Sequence, residues 1–332
     1  MNSMRYGVLI ALLFILVACL FAGSLLIGPA AIGLKASIAA LFHGEGEMVT
    51  LVMREVRLPR AILGALVGGA LGLSGAAMQG LLRNPLAEPG LIGTSSAAAL
   101  GAVITIQTGL SAAFALALPL AALAGALISV GLILLLAGPR GTILTLILAG
   151  IGLSALATAF TSLVLNLSPN PFAASEIMFW MMGSLADRSM LHVQLALPFM
   201  ALGAAIMARA GGGLKALTLG EDAATSMGVN VTRLRILLVV ATASLVGAAT
   251  AVAGAIGFVG LIVPHLLRRA VGANPTRLLW ASALGGAAVI LAADIAVRII
   301  APDRDLKLGV LTALVGAPFF LNLILRTRRE TA

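Results

Sequence analysis

Apolar stretches about as long as a bilayer is thick recur along the sequence, and this repetition limits the possible folds more than any other feature. A membrane-spanning helix needs ~20 predominantly apolar residues, and several of these stretches exceed the ~18 residues at which a span is predicted. None alternates polar with apolar residues as a barrel strand does. The stretches lie at 7–27, 61–82, 92–108, 112–137, 143–165, 192–210, 236–254, 256–271, 278–300 and 308–325.

Composition excludes the main alternatives to a membrane protein. Apolar residues make up 61% of the 332-residue chain and charged residues only 10%, whereas soluble domains are roughly 45–50% apolar and about 25% charged. So few polar side chains cannot cover a water-exposed surface, which excludes a soluble enzyme, a disordered tail and a fibrous repeat. We therefore expect an all-α membrane protein of about ten transmembrane helices, forming a single domain over residues 1–332.

The first apolar stretch has two interpretations. Leu16-Val17-Ala18-Cys19 is similar to a lipoprotein cleavage site, but the apolar run continues to Ile27, far enough for a complete span. We expect an uncleaved first helix rather than a signal peptide. The single cysteine also excludes a disulfide framework, and with three histidines it leaves little for a metal site.

The positions of the basic residues predict the orientation in the membrane. With ten alternating spans and a cytoplasmic N-terminus, 13 of the 21 Lys and Arg residues fall inside, and the net charge of +9 lies entirely on that face. Cytoplasmic loops of membrane proteins carry such an excess. The charge is therefore a topology signal rather than a nucleic-acid signal, and both termini are expected in the cytoplasm.

Three connections are long enough to carry a function. Residues 28–59 lie outside and end in a basic cluster, and residues 166–191, also outside, predict a short helix at the interface. Residues 211–235 lie inside; they begin with Gly211-Gly212-Gly213, predicted to be a flexible hinge, and continue as a small amphipathic helix. Five spans per half would make the two halves an inverted repeat, as in many transporters.

Small residues recur every four positions along the second span. Such a face lets two helix backbones approach closely. Dispersion contacts then hold the helices together, because the hydrophobic effect does not drive helix association inside a bilayer. The alternative is a glycine face that lines the path of a bulky substrate. The residues concerned are Gly64, Gly68, Gly72, Ala76 and Gly80.

Charge within the spans is scarce. Asp294 is the clearest case, with Arg298 four residues later in the favourable order for a helical ion pair. An ionisable group in a membrane is a functional hypothesis by default, and a structural pair near the outer rim is the alternative. A proton-coupled carrier would be expected to hold more buried acids or histidines.

Motifs for nucleotide binding and catalysis are missing from the sequence. Its three lysines are Lys35, Lys215 and Lys307, and none follows a glycine, so the phosphate-binding loop G-x-x-x-x-G-K-[ST] is absent. If the protein uses ATP, another subunit must bind it.

Five segments carry a combined pattern, at 57–60, 75–93, 219–228, 257–265 and 309–320. They read RLPR, GAAMQG followed by NPLAEPGLIG, LGE through MG, GFVGLIVPH, and GVLT through GAPFF. Together they resemble the FecCD family, the membrane permeases of ABC importers for iron–siderophores, haem and vitamin B12.

The resemblance implies partners and a cargo. It implies ten helices per permease, a second permease copy (a homodimer), two cytoplasmic ATPase subunits that bind ATP and Mg, and a periplasmic substrate-binding protein. The chain itself would bind no cofactor and no nucleic acid, and would lie among the lipids of a bacterial inner membrane. Haem is the implied cargo, with a siderophore or vitamin B12 as the alternative. Runners-up from other classes are an ion-coupled secondary transporter and a non-transporting membrane scaffold.

The resemblance also implies roles for individual residues. Within the cytoplasmic coupling loop 211–235, a helix at 219–228 would sit on the ATPase, and outer arginines would pair with acidic residues of the binding protein or, alternatively, with lipid headgroups. Other residues would form the cytoplasmic gate or path. The coupling residues are Leu219, Gly220, Glu221, Ala224, Met227 and Gly228; the docking residues are Arg57, Arg60 and Arg298; the gate residues are Asn84, Leu86, Thr142, Ile143, Leu144 and Thr145.

Overall fold

Helices joined by short turns make up the computed structural model, which describes residues 6–30, 32–114, 116–138, 141–168, 171–302 and 306–331. No strand occurs among these residues. In chain order the α-helices are α1 Tyr6–Leu26, α2 Leu34–Phe42, α3 Glu47–Leu51, α4 Leu58–Leu81, α5 Thr94–Gln107, α6 Leu110–Ala113, α7 Ala117–Ala137, α8 Ile143–Asn166, α9 Pro171–Met181, α10 Met190–Leu217, α11 Glu221–Ser226, α12 Val231–Ala253, α13 Val259–Arg268, α14 Pro275–Ile300 and α15 Leu308–Thr331.

Seven helical runs in the described part of the chain are long and apolar enough to cross a membrane. They are α1, the run Glu47–Leu81 that ends in α4, and α7, α8, α10, α12 and α14. The helices α5 and α13, and residues Leu308–Leu323 of α15, form shorter apolar segments. Length and composition thus identify seven of the ten predicted spans.

The central helices are α4, α12 and α14. α14 packs along α4, and α10, α12 and α13 pack against the other faces of α4. Most side chains of α4 and α12 are buried, whereas α1 and α8 keep most of theirs uncovered. The bundle therefore has a close-packed centre and two largely open membrane-length helices at its periphery.

The helical run into α4 begins earlier than the sequence predicted. A π-helical turn, Val52–Arg57, joins α3 directly to α4, so the basic cluster at 54–60 is helical rather than part of a loop. Pro59 lies at the second position of α4, directly after this π-helical turn, and the helical run continues through it.

The predicted flexible hinge at Gly211–Gly213 is wrong. These glycines lie inside α10, which continues to Leu217. A Cβ at Gly211 would come within 2.9 Å of Thr276, and one at Gly213 within 2.8 Å of Leu234. Glycine is used here for close helix packing, and the separate element between α10 and α12 shrinks to α11 and its flanking turns.

Two interrupted segments meet inside the bundle. One, at 82–93, joins α4 to α5, and the other, at 254–258, joins α12 to α13. The Glu88 carboxylate accepts the backbone N–H of Phe258 at 3.0 Å, and Pro89 lies against Gly260. The carboxylate thus takes up a backbone donor at the start of α13 that has no partner within that helix.

Candidate functional site

Helix α11, predicted to lie on the cytoplasmic side, is a compact element between two glycine turns. Gly220 and Gly228 have φ of 107° and 84°, a region that favours glycine. Ala224 is fully buried, while Leu219 and Met227 are 68% and 63% exposed. The helix is thus anchored to the bundle through Ala224, and two large apolar side chains beside it are exposed. Exposed apolar side chains of this size are expected where a partner protein covers the surface.

One carboxylate of α11 is turned back onto the bundle. Glu221 forms an ion pair with Arg235 in the second turn of α12. Arg235 also donates a hydrogen bond to the carbonyl of Gly141 at 3.1 Å, and its side chain is 11% exposed. The sequence pattern did not single out Arg235, because its partners are distant along the chain and share no helical spacing with it.

The carbonyl that Arg235 binds belongs to the segment between α7 and α8. Gly138 ends α7 with φ of 69°, and the N–H of Gly141 donates to the carbonyl of Gly138 at 3.2 Å. Thr142 caps α8: its hydroxyl accepts the N–H of Thr145 at 3.2 Å. Thr142 and Thr145 are thus capping residues at the first turn of α8.

The remaining gate candidates lie on two elements. Asn84 forms a turn in which its side-chain oxygen accepts the N–H of Leu86 at 2.9 Å. Ile143 lines a small apolar gap between α4 and α8 that Leu82 also lines, and Leu144 is exposed. The structure therefore brings the start of α8 against the end of α4, and Asn84 shapes the turn that follows.

Most of α8 is left uncovered by the rest of the chain. Its buried residues are Gly150, Ala157 and Thr161. Large apolar side chains such as Leu156 and Phe160 are exposed on one side, as expected against lipid or another copy. An adjacent arc instead exposes small and polar residues in the second half of the helix, namely Gly152, Ala155, Thr158, Ala159, Ser162 and Asn166. In the first half the same arc exposes Leu144, Leu148 and Ile151.

A cavity of about 630 Å³ lies between the end of α9, the interrupted segment 254–258 and α15. Its walls are almost entirely apolar and include Met181, Met182, Phe258 and Pro318. Methionine side chains are flexible and polarizable, and they adapt to irregular apolar ligands. The cavity therefore suits a bulky apolar group better than a small ion.

The loop from α9 to α10 contains Arg188, a cation to which the sequence analysis gave no role. Burial lowers the pKa of Arg188 from its usual value, and the neighbouring Asp187 acts in the opposite sense. Asp187 has φ of 55°, and the loop is fixed by the N–H of Ser184, which donates to the carbonyl of Ala253 at 2.8 Å. Arg188 remains a cation, since a guanidinium stays protonated in proteins.

Arg57, the first of the three arginines predicted to dock a binding protein, is engaged within the chain. It is 4% exposed and donates to the carbonyls of Leu25 at 2.9 Å, Leu26 at 3.0 Å and Ala30 at 2.6 Å. Arg57 is therefore not a free rim charge in this structure, because the carbonyls at and beyond the end of α1 take up its donors. Its role in docking a binding protein stays a prediction.

Arg60 and Arg298 share the buried carboxylate of Asp294, at 2.8 Å and 2.7 Å. Arg298 also donates to the carbonyls of Ser24 and Ile27 at 2.8 Å and 2.6 Å. The predicted i,i+4 arrangement of Asp294 and Arg298 is present, and Arg60 extends it to a triad. With side chains 17% and 6% exposed, Arg60 and Arg298 are not free rim charges either.

The glycine-rich face of α4 lies against other helices. A Cβ at Gly68 would overlap the carbonyl of Gly286, and one at Gly72 the carbonyl of Ser282, both in α14. Gly64 lies against Leu291 of α14, and Gly80 lies against Leu214 of α10. All four glycines thus face packed neighbours. Among the described residues, no group of three or more His, Cys, Asp or Glu side chains could hold a metal ion.

Comparison with known proteins finds long matches. The model of the FecCD transport family matches residues 13–326. The hemin transport system permease HmuU of Yersinia pestis is 39% identical over 331 residues, covering 97% of this chain and 96% of the relative. The cobalamin import system permease BtuC of Halobacterium salinarum is 40% identical over 288 residues, covering 86% of this chain and 76% of the relative.

A solved structure also matches the fold. It is described as an inward-facing conformation of a metal-chelate type ABC transporter, with a TM-score of 0.85 and 33% sequence identity. The match covers 96% of this chain and 98% of the other.

Proposed function

Because the chain belongs to the FecCD transport family, we propose that it is the membrane permease subunit of an ABC importer for a chelated-metal or corrinoid cargo. The observation that carries the proposal is α11, a cytoplasmic helix that exposes Leu219 and Met227 and is ion-paired through Glu221 to the membrane bundle. Such an element can receive force from a partner protein and pass it to the helices that it joins.

The chain is a transport subunit and not an enzyme. Relatives named as ABC permeases align with most of its length, and its sequence lacks the phosphate-binding loop that nucleotide binding of this kind uses. ATP and Mg are therefore assigned to two cytoplasmic ATPase subunits. The proposed coupling element comprises Leu219, Gly220, Glu221, Ala224, Met227 and Gly228; Leu219 and Met227 offer exposed apolar side chains to the ATPase, and the buried Ala224 anchors the helix to the bundle.

Ten membrane crossings are proposed, with both termini in the cytoplasm of the bacterial inner membrane. The seven long apolar runs would be joined by α5, α13 and α15. Each half then has the same order: a long span, small surface helices, a long span, an interrupted segment, a short helix and two further spans. This order supports a single domain over residues 1–332 built from an inverted repeat of five helices.

The translocation path is proposed to run beside α8 and α15, between this chain and a second copy in a homodimer. Three features support this: the largely uncovered α8, its exposed arc of small and polar residues, and the apolar cavity beside α15. The turn after α4, with Asn84 and Leu86, and the first turn of α8, Thr142–Thr145, would form its cytoplasmic gate.

A periplasmic binding protein is proposed to dock on the outer face. Since Arg57, Arg60 and Arg298 are occupied within the chain, exposed charges of the segment before α4 are the better candidates. These exposed residues are Lys35, Glu45, Glu47 and Glu55. Arg54 is also exposed, but it donates two hydrogen bonds to the carbonyl of Leu41. Rim charges of this kind steer association and set register more than they add affinity.

Haem is the favoured cargo, and a siderophore or vitamin B12 is the alternative. A bulky, partly apolar macrocycle suits the apolar cavity, and a relative named as a hemin permease aligns with 97% of the chain. Relatives named as cobalamin permeases have similar identity, so the alternative has comparable support from sequence.

The test is uptake into proteoliposomes that contain the permease, its ATPase subunits and its binding protein. We expect ATP-dependent accumulation of radiolabelled haem, with cobalamin and a ferric siderophore as competing cargoes. Accumulation of cobalamin or the siderophore instead would reassign the cargo within the same function. Uptake driven by an ion gradient with no ATPase present would contradict the proposal as a whole.

A further inference from the structure

We propose that Arg235 is a positioning residue that carries movement of α11 to the cytoplasmic end of α8. The inference rests on the proposed function and deepens it, because it names a side chain through which force on the coupling helix reaches the gate. Its basis is a three-part connection: the Glu221 carboxylate, the Arg235 guanidinium and the Gly141 carbonyl.

The first contact fixes Arg235 to α11. Glu221 pairs with the Nη2 atom of Arg235, and α11 itself is a small rigid unit, since the carbonyl of Ala224 accepts the N–H of Val229 at 3.0 Å. Of the ion pairs between described residues, this one joins the cytoplasmic segment to the bundle; the other two lie at Asp294.

The second contact fixes Arg235 to the turn before α8. Its Nη1 atom donates to the carbonyl of Gly141, and a Cβ at Gly141 would come within 2.5 Å of the carbonyl oxygen of Ala137 at the end of α7. Because Thr142 caps α8 directly after this residue, a displacement of Gly141 has to move the first turn of α8.

The guanidinium group suits this task. It is planar and presents its donors in a fixed geometry, so its two terminal nitrogens hold the carboxylate and the carbonyl at a set separation. The Nε atom of Arg235 is buried and has no partner among the described residues, so these two contacts orient the group. A lysine would supply one point charge and could not hold both partners in that geometry.

Space for the movement lies beside the guanidinium. A cavity of about 340 Å³ lies between the end of α7, the start of α8 and the start of α12, and its lining includes Gly138, Gly141, Leu146, Arg235 and Ile236. The start of α8 can therefore shift without first displacing tightly packed side chains, while Arg235 keeps it attached to α11.

The test uses the complete complex in proteoliposomes and a thiol reporter on the gate. Leu144, which is exposed on the first turn of α8, is changed to cysteine in a Cys19→Ser background, and its labelling rate is compared with and without ATP plus vanadate. In the otherwise unchanged complex we expect a nucleotide-dependent change in that rate.

With Arg235→Gln we expect this change to disappear and the ratio of uptake to ATP hydrolysed to fall about tenfold or more. Hydrolysis itself should stay within about twofold, since the ATPase subunits remain bound. The matched control is Arg233→Gln, which removes the same charge two residues earlier from an exposed side chain and should keep both the labelling change and the ratio. An Arg235→Gln complex with an unchanged labelling response would overturn the inference.

A charge swap separates positioning from simple stabilisation. Glu221→Arg combined with Arg235→Glu restores an ion pair and places a carboxylate opposite the Gly141 carbonyl, where it cannot donate. We expect the doubly changed complex to assemble and its nucleotide-dependent change in labelling rate to stay absent. Full recovery of coupled uptake in the swapped protein would show that the Gly141 contact is unnecessary and would overturn the inference. Absence of ATP-dependent uptake in the unmodified complex would instead contradict the proposed function.

Discussion

At the scale of residues, one buried carboxylate holds together the ends of α1 and α14 and the start of α4. Asp294 is 2% exposed and lies between the guanidinium groups of Arg60 and Arg298, and Arg298 in turn holds the last carbonyls of α1. Burying charges is costly unless they are paired. Removing the single anion would leave two cations facing each other in a poorly solvated place.

We therefore expect Asp294→Ala to destabilise the purified protein by about 3–5 kcal/mol, the usual cost of breaking a buried ion pair by deleting one partner. Thermal unfolding in detergent measures the effect. Glu45→Gln, which removes an exposed carboxylate on the same face, serves as the control and should leave the midpoint unchanged. Equal midpoints for the two variants would contradict the structural role of Asp294.

The sequence predicts only part of this cluster. Asp294 and Arg298 could be paired from their i,i+4 spacing alone, but Arg60 is 234 residues away and no local pattern connects it to them. The same limit applies to Arg235, whose carbonyl partner lies 94 residues earlier. The contacts of Arg60 and Arg235 therefore become visible only in the tertiary structure.

At the scale of elements, the distance between α4 and α14 is set by small residues of one helix that face the backbone of the other. Gly72 of α4 lies so close to α14 that a Cβ would overlap the carbonyl of Ser282. We expect Gly72→Ala to cost about 1–3 kcal/mol, as overpacking does, because α4 and α14 must separate. Gly131→Ala in α7 is the control: nothing lies within 4 Å of its Cβ position. Thermal unfolding that ranks the two variants alike would argue against close packing at Gly72.

The same physics explains where element prediction succeeded and failed. Long apolar runs predicted α1, α7, α8, α10, α12 and α14 well, since each is a continuous stretch of bilayer length. The triple glycine in α10 was misread as a hinge because glycine both frees a backbone and permits close packing. Only the neighbours Thr276 and Leu234 show that packing is its role here.

The junction of the two interrupted segments gives a second prediction at this scale. Glu88 accepts the N–H of Phe258, and hydrogen bonds to charged groups contribute about 1.5–3 kcal/mol. We expect Glu88→Ala to speed hydrogen exchange in the segment 254–262 about tenfold or more, since each 1.4 kcal/mol is tenfold. Glu88→Gln keeps a side-chain oxygen acceptor without the charge and should exchange at an intermediate rate, since a neutral hydrogen bond contributes about 0.5–1.5 kcal/mol. Similar exchange rates in both variants would show that this hydrogen bond does not stabilise the segment.

At the scale of the whole molecule, two membrane-length helices are open to their surroundings but differ in what they expose. The uncovered face of α1 carries large apolar side chains such as Leu12, Phe14 and Ile15, as a lipid-facing helix should. The uncovered arc in the second half of α8 includes Ala155 and the hydroxyl-bearing Thr158 and Ser162, whereas the exposed residues of α1 include no Ser or Thr. Small and hydroxyl-bearing residues suit a water-containing path or a second copy better than acyl chains.

This contrast predicts which positions a hydrophilic thiol reagent can reach. In a Cys19→Ser background we expect Ala155→Cys and Ser162→Cys to react with a membrane-impermeant methanethiosulfonate, and Leu12→Cys to react at least tenfold more slowly. The thiolate is the reactive form, and apolar surroundings keep the thiol protonated. Labelling in right-side-out and inside-out vesicles covers both orientations of the gate. Slow labelling at all three positions from both sides would place the arc of α8 against lipid and move the translocation path away from this helix.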